Sequence, residues 1–514
     1  MGTLVEDLLR PENYPPPRPS SVSLAATHAS WVFLTDTEAW KVKRPVDYGF
    51  LNFTSLDGRR HFCEEEIRLN RRLAPGVYLG VEPVRLDARG HSLARGGEIA
   101  DYAVRMKRLP EAASALALCR AGALQDEHLA RLARHLTRFY RMARETPRYG
   151  SLETVRANVK ENFSQVEPFL GRWLDEPTFR AVREWQERFL AEHAERFEAR
   201  AAAGRIKEGH GDLRLEHVYL LGDETLVIDC IDFNERFRNG DAASDVAFLA
   251  MDLDHEEKPE LSAWFLSRFA LESSDYDLYA VVDFYLCYRA WVRGKVACFV
   301  AADPSTPLEK QARKAEEART HFALALAYTR PWFEDPWVVA VGGIIGSGKT
   351  TLADALSRDL GFPLVSADAT RKSLAGLAPT ERGGEEIYTS DFSRRTFREM
   401  FRRAGVVLGS GRGVILDSTF RGRDLRLEAR DLAVRHGRPF LFVEARCDEE
   451  TIRERLRRRS GAPSVSDAGE PLLAYFQREF EPVTEFGPGE HLVVDTAGAL
   501  AEQGAAVRAR LRRA

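Results

Sequence analysis

The eight residues Gly343-Ile-Ile-Gly-Ser-Gly348-Lys349-Thr350 fit G-x-x-x-x-G-K-[ST] without a mismatch. Glycines at this spacing let successive backbone N–H groups turn inward onto phosphate oxygens, and a following helix adds the partial positive charge of its N-terminus. Gly343, Gly346, Ser347, Gly348 and Thr351 are therefore expected around a nucleotide triphosphate. Lys349 is expected to reach its β- and γ-phosphates, and Thr350 to hold Mg²⁺. Val414-Ile-Leu-Asp417 ends an apolar run in a carboxylate suited to support the same ion, directly or through water. Asp368 and Arg371 follow another short apolar run. The carboxylate can take the proton of an attacking hydroxyl, and the guanidinium can hold an anionic substrate or the phosphoryl group in transit. Arg453, Arg455, Arg457, Arg458 and Arg459 lie on a helical run ending at Gly461, where one or two could close over the phosphates as a lid. A solvated basic face accounts equally for the others.

A second constellation stands upstream. In His210-Gly-Asp212-Leu-Arg-Leu-Glu-His217, Asp212 has the chemistry of a base for a hydroxyl acceptor, with a metal ligand expected nearby. The tripeptide is a weak signal alone. It gains strength from Val227-Ile-Asp229-Cys-Ile-Asp232, a strand ending in carboxylates fit for Mg²⁺, and from Asp241 and Asp245 in Gly240-Asp-Ala-Ala-Ser-Asp245. Lys41 and Lys43 alternate on one strand face, so either could meet phosphates and pair with a helix carboxylate, Glu66 or its neighbour Glu65.

The elements that must carry these groups follow from periodicity. Strands are predicted over 31–34 and 39–46 around a turn, a helix over 61–73, and a strand ending at Leu109 before Pro110. Helical periodicity runs from 126 to 203, short strands return near 218–220 and 226–231, and helices continue to about 328. A β-rich lobe thus precedes a larger helical one. Residues 329–336 carry two prolines and read as a linker, which divides the chain into 1–330 and 336–514. Beyond it, strands at 337–341, 363–365, 414–416, 440–444 and 491–494 alternate with helices, as in a parallel sheet with crossovers.

On His210-Gly-Asp212, Asp229, Asp232 and Asp241 through Asp245, residues 20–328 resemble the aminoglycoside phosphotransferase family, relatives of the protein kinases. The resemblance implies Asp212 as catalytic base and Asp229 or Asp232 as main metal ligand, with Asp245 bracing the loop. It also implies Lys41 with Glu66 at the phosphates, residues 26–30 as the phosphate loop and residues 106–109 as the adenine hinge. The family places Asn where this chain has His217, and an imidazole nitrogen is a softer ligand less suited to Mg²⁺. On its P-loop, Asp368 to Arg371, Asp417-Ser-Thr-Phe420 and arginine-rich run, the stretch 336–500 resembles small P-loop kinases: polynucleotide kinase, gluconate kinase and the zeta toxins. That implies Asp368 as general base and Arg371 as an acceptor contact. The fold expected is a bilobal α+β protein-kinase-like domain followed by an α/β P-loop NTPase domain with a parallel sheet.

Composition bounds the rest. A chain of 514 residues exceeds one ordinary core, and a net charge of -4 argues against a nucleic-acid partner. The cysteines, 63, 119, 230, 287, 298 and 447, are scattered without a C-x-x-C pair, which disfavours disulfides and zinc. No signal peptide is visible, and the apolar run 281–300 contains four charges, too many for a membrane span. A cytoplasmic enzyme is expected, using ATP and Mg²⁺ to phosphorylate a hydroxyl on a small molecule in each domain. The alternative is a nucleotide-responsive regulatory or stress-related protein with a silent first domain. Neither acceptor nor the oligomeric state can be read.

Overall fold

The computed structural model describes residues 2–27, 29–47, 49, 51–330, 336–379, 381–459 and 470–512, with the Arg459 side chain excepted. Most of the expected linker (331–335), His28 of the expected phosphate loop, and Gly461 at the end of the expected lid lie outside the described residues. Contacts group the chain into two compact units. One comprises residues 1–128, 138–155 and 198–252, and the other residues 129–137, 156–197 and 253–514.

The first unit is built on a six-stranded antiparallel sheet. In chain order its strands are β1 (Ser23–Ala26), β2 (Ser30–Leu34), β3 (Glu38–Lys43), β4 (Tyr78–Asp87), β5 (Gly90–Ser92) and β6 (Glu98–Lys107), and in space the order is β1-β2-β3-β6-β4-β5. Strand β3 is interior, so its lysines are not those of a solvated edge. It stops before Pro45, short of the predicted end at 46, because proline has no N–H for a ladder. Strand β4 is not among the strands predicted above; it contains Gly80 and Pro83, both uncommon inside strands, and a register shift between Tyr78 and Gly80 absorbs the irregularity. Helix α1 (Leu56–Asn70) begins five residues before the predicted start, because Ser55 Oγ accepts from Gly58 N–H and caps it. Its buried face carries Arg59, Cys63, Glu66, Ile67 and Asn70, and Cys63 and Ile67 pack with Ala39, Val104 and Met106. Two small ladders follow: β7 (Ile206–Glu208) pairs with β10 (Asn239–Asp241), and β8 (Val218–Leu221) pairs with β9 (Glu224–Val227).

The second unit joins helices to a parallel sheet. Its strands are β11 (Val338–Gly342), β12 (Leu364–Ser366), β13 (Val414–Asp417), β14 (Phe440–Arg446) and β15 (His491–Asp495), in the spatial order β12-β13-β11-β14-β15. Strands β11 and β13 are buried throughout, as parallel strands covered on both faces must be. Helices α2 (Pro259–Ser273), α3 (Lys349–Leu360), α4 (Ala367–Leu374), α5 (Ser390–Gly409) and α6 (Glu449–Arg459) belong to the same unit. Leu352, Ala353 and Leu356 of α3 enter a core with Val339, Val341, Ile415, Leu441 and Val443. Among the described residues no helix is long and apolar enough to cross a membrane.

One buried arginine holds the chain that leaves β13. Arg426, fully buried, donates to the carbonyls of Phe420 (3.0 Å), Arg421 (3.3 Å), Glu481 (3.1 Å) and Pro482 (3.3 Å), and pairs with the buried Glu485. Removing one partner strands a charge out of water. Arg426→Ala and Glu485→Ala are each expected to lower the stability of this unit by about 3–5 kcal/mol, read by chemical denaturation. A destabilisation below about 1 kcal/mol in both would show that water already reaches the pair.

Candidate active sites

In the first unit the site is set by charges held out of water. Lys41 Nζ lies 2.9 Å from Glu66 Oε1 and 2.7 Å from Asp229 Oδ1. Lys43 Nζ lies 2.9 Å from Glu66 Oε2 and pairs closely with Asp232. Alternation along β3 puts both ammonium groups on one face, toward the buried carboxylate of α1. Glu65, the alternative partner, turns instead to Arg68 at 2.8 Å. Three carboxylates surround two amines, so negative charge is in surplus, as a site for a divalent cation and its nucleotide needs. Burial presses the Glu66 carboxyl upward, but Lys41 and Lys43 more than reverse it, leaving it below the ordinary range. Burial opposes Lys43 as well, yet Asp232 and Glu66 hold it protonated.

The two candidate metal carboxylates part company here. Asp232 is buried against Lys43, and burial pushes its carboxyl up. Asp229 keeps 46% of its side chain exposed. Burial raises it too, but Lys41 and His217 draw it well below the usual carboxylate range. Asp229 stands in the left-handed region (φ 63°), its N–H donating to Tyr78 Oη at 3.1 Å, while Cys230 N–H donates to Asn70 Oδ1 at 2.8 Å. These bonds from β4 and α1 turn the Asp229 carboxylate outward while Asp232 stays in.

The loop carrying Asp212 is tied from behind. Asp245 accepts from His210 N–H (2.7 Å), Gly211 N–H (2.9 Å) and Tyr140 Oη (3.1 Å). Gly211 has φ 86°, and a Cβ there would stand 2.7 Å from the Phe237 carbonyl oxygen. Burial and His217 lower the His210 imidazole, whose Nε2 meets the Ile228 carbonyl at 2.9 Å. Asp241 pairs with the buried Arg200 at 2.7 Å and so is occupied structurally. His217 Nδ1 donates to the Asp212 carbonyl at 2.8 Å and lies 3.7 Å from Asp212 Oδ2, while its Nε2 lies 3.7 Å from Asp229 Oδ2. One imidazole therefore lies between the Asp212 and Asp229 carboxylates. Residues 106–109 follow the pairing of Ala39 with Met106, at the end of β6.

In the second unit the P-loop turn leads from β11 into α3. Gly343, Gly346 and Gly348 all have positive φ, and a Cβ on Gly343 would stand 2.5 Å from the Ala445 carbonyl oxygen. Lys349 is buried, whereas Thr350 and Thr351 are exposed on the first turn of α3. Thr350 Oγ1 donates to Asp417 Oδ2 at 3.0 Å. Asp417 Oδ1 and Ser347 Oγ are buried without a hydrogen-bond partner. Such orphaned oxygens are costly, and a hard cation with its phosphates would satisfy them. Among the described residues no group of three or more His, Cys, Asp or Glu could hold a metal. Mg²⁺ takes one or two protein oxygens and leaves the remainder to water and substrate phosphates. Thr350 and Asp417 fit that ion; in the first unit Asp229 fits it, and His217 fits it less well.

On the acceptor side, Ser366 caps α4 and places half-buried Asp368 in the first turn. Arg371, expected to hold an anionic substrate, is partly committed: its Nη1 donates to the Ile387 carbonyl (2.6 Å) and to Ser393 Oγ (3.1 Å), leaving Nε buried and unpartnered. The expected lid also differs. Arg453 and Arg457 pair with Glu470, Arg453 also with Glu449, and Arg458 with Glu454. Arg455 Nη2 donates to the Thr496 carbonyl at 2.6 Å, and Thr496 Oγ1 donates to the Ser347 carbonyl at 2.5 Å. Ile452 and Leu456 pack on Ile345 of the P-loop. Helix α6 is thus braced against the turn. Sequence reading missed Thr496 and also Arg421, which bonds Tyr475 Oη at 3.0 Å. Both follow strand C-termini, where ligands of parallel sheets gather, and that position was the available signal.

Burial pushes the Asp417 carboxyl up to about 6 against the pull of Lys349, with Asp368 adding repulsion. Folded protein therefore binds a proton that unfolded protein releases near pH 4, and this stability is lost as pH rises toward 6. Without metal or nucleotide, Asp417→Asn is expected to flatten that decline and raise stability at pH 8 by on the order of 2 kcal/mol, measured by denaturation at pH 5 and pH 8. In a Lys349→Ala background, Asp229→Asn is expected to raise the Mg²⁺ needed for half-maximal binding of a fluorescent ATP analogue about tenfold or more. Asp232→Asn is expected to lower the thermal midpoint and leave that Mg²⁺ requirement in place.

Two family models match the regions that carry these sites. Residues 52–293 match the model of the phosphotransferase enzyme family, and residues 338–483 match an AAA domain model. An uncharacterized protein of Mycobacterium tuberculosis is 29% identical over 459 residues, covering 87% of this chain and 88% of its own. Among solved structures, a gluconokinase from Sinorhizobium meliloti is similar over 35% of this chain and 94% of its own, with 24% identity and a TM-score of 0.27. A GDP complex of an aminoglycoside 2'-phosphotransferase is similar over 63% of this chain and 99% of its own, with 14% identity and a TM-score of 0.37. By these family models, residues 52–293 match a phosphotransferase-family domain, and residues 338–483 match an AAA domain that includes the P-loop, both on the same chain.

Proposed function

We propose that the chain is a bifunctional ATP-dependent phosphotransferase with one hydroxyl acceptor for each domain. The observation that supports this best is that each centre pairs a candidate base with charged groups for nucleotide. Asp212 lies across His217 from Asp229 and the Lys41–Glu66 pair, and Asp368 bears electrostatically on Asp417 beside Lys349 and Thr350. In each, the acceptor hydroxyl gives its proton to the aspartate as its oxygen bonds to the γ-phosphorus. The bond from that phosphorus to the β–γ bridging oxygen breaks, and ADP leaves with the electron pair. Lys41 and Lys349 stabilise charge on the phosphates in the two centres respectively. Mg²⁺, held by Thr350 and Asp417 in the second and by Asp229 with His217 in the first, would neutralise phosphate charge. The acceptors are small hydroxyl compounds, and a nucleic acid is not favoured by the net charge of -4.

A second reading, in which the first domain binds nucleotide as a silent regulator, is favoured by one observation. His217 stands where the family has Asn, and its Nδ1 is committed to the Asp212 carbonyl. MgATP turnover and autophosphorylation separate the two. If the enzyme is bifunctional, Asp212→Ala and Lys349→Ala each remove a separable activity by about 100-fold or more, and only the double variant is inert. Unchanged turnover in Asp212→Ala, with complete loss in Lys349→Ala, would leave the silent reading standing.

A further inference from the structure

Strand β12 lies at an edge of the parallel sheet, and it runs directly into the turn that carries Asp368. An edge strand pairs on one side alone, so alternate peptide groups point away from the sheet. Pro363 C=O faces β13, accepting from Ile415 N–H at 2.9 Å. Leu364 presents its peptide groups the other way. There, Leu364 N–H donates to Ser267 Oγ at 3.2 Å, and Tyr276 Oη donates to Leu364 C=O at 2.7 Å. Ser267, Tyr276 and Leu364 are each only 2% exposed, so water does not substitute for either hydroxyl. Two side chains thus take the place of a neighbouring strand.

The same two residues reach the other elements of this centre. Ser267 Oγ lies 3.2 Å from Ser357 Oγ on α3, and Ser357 Oγ donates to the Phe362 carbonyl at 2.7 Å. The next residue of α2, Arg268, pairs with Asp354 of α3 at 2.5 Å. Helix α2 therefore touches both the helix that opens with Lys349 and the strand that leads to Asp368. The Tyr276 ring carries the buried Arg403 guanidinium 5.3 Å from its centroid, and Arg403 Nη2 donates to Ser373 Oγ of α4 at 3.1 Å. Ser267 and Tyr276 lie inside the stretch matched by the phosphotransferase family, yet they group with the P-loop sheet in one compact unit.

We propose that Ser267 and Tyr276 are positioning residues for the P-loop centre, holding β12 so that Asp368 stands at a fixed distance from the nucleotide. This rests on the reading of Asp368 as the acceptor base. Displacing a base by an ångström lowers the chemical step while leaving nucleotide binding to the P-loop intact.

The test uses the full chain with MgATP as the only substrate. The turnover that Lys349→Ala removes defines the share of the P-loop centre. Tyr276→Phe keeps the ring against Arg403 and removes only the hydroxyl; Ser267→Ala removes the other hydroxyl, and Ser267→Thr restores it. Tyr276→Phe and Ser267→Ala are each expected to lower kcat of that share roughly tenfold, with KM for ATP unchanged within about twofold, and Ser267→Thr to recover most of it. Amide hydrogen exchange over residues 363–370 should quicken in the first two variants and return in the third. Unchanged kcat and unchanged exchange would overturn the proposal, as would KM for ATP rising in step with the fall in kcat. If Lys349→Ala removes no turnover, the catalytic reading of the P-loop fails separately. Exchange then decides whether the hydroxyls hold β12, and unaltered exchange refutes that as well.

Discussion

Lys43 and Glu66 are almost wholly removed from water, and their pairing governs where the groups of the first centre can stand. A buried ammonium is tolerated only when carboxylates match it. Glu66 alone cannot serve Lys41 and Lys43, so Asp229 and Asp232 are drawn in, one to each amine. This fastens the strand β3, the helix α1 and the segment after β9 into a single frame. It also sorts the two aspartates. The one against Lys43 is buried, whereas the one against Lys41 retains an exposed face beside His217.

The second centre meets the same constraint with different means. Its charges lie at the C-terminal edge of a parallel sheet, where strand ends and helix N-termini converge. Asp417 and Ser347 each bury one side-chain oxygen without a hydrogen-bond partner, which costs free energy. Phosphate oxygens and a hard cation would satisfy groups of this kind. The surrounding parts are braced rather than loose: Arg455 grips Thr496, Thr496 grips the P-loop, and Arg426 holds the chain beyond Phe420. The arginines that suggested a mobile lid are, where described, paired with glutamates or with backbone.

Much of this was legible in residue order. The P-loop glycines, Asp417 at the end of an apolar run, and Lys41 in alternation with Lys43 all announce themselves because their chemistry is local. A helix carboxylate was readable only as Glu66 or its neighbour Glu65, and burial against Lys41 and Lys43 settled the pairing on Glu66. The start of α1 was misplaced because Ser55 acts through a cap rather than through periodicity, and β4, which contains a proline and a glycine, was not among the predicted strands. Asp229 and Asp232 could not be ranked, since both end the same predicted strand three residues apart.

Sequence by itself determined the two motif sets, their order along the chain and the strands that carry them, because motif spacing and hydrophobic period are properties of neighbouring residues. Only the tertiary structure decided which aspartate faces solvent, that Arg455 is a brace, and that Ser267 and Tyr276 reach the edge of a sheet whose strand begins some 90 residues later. Those assignments depend on which groups are desolvated together. Desolvation is set by packing among residues far apart in the chain, which no local pattern encodes.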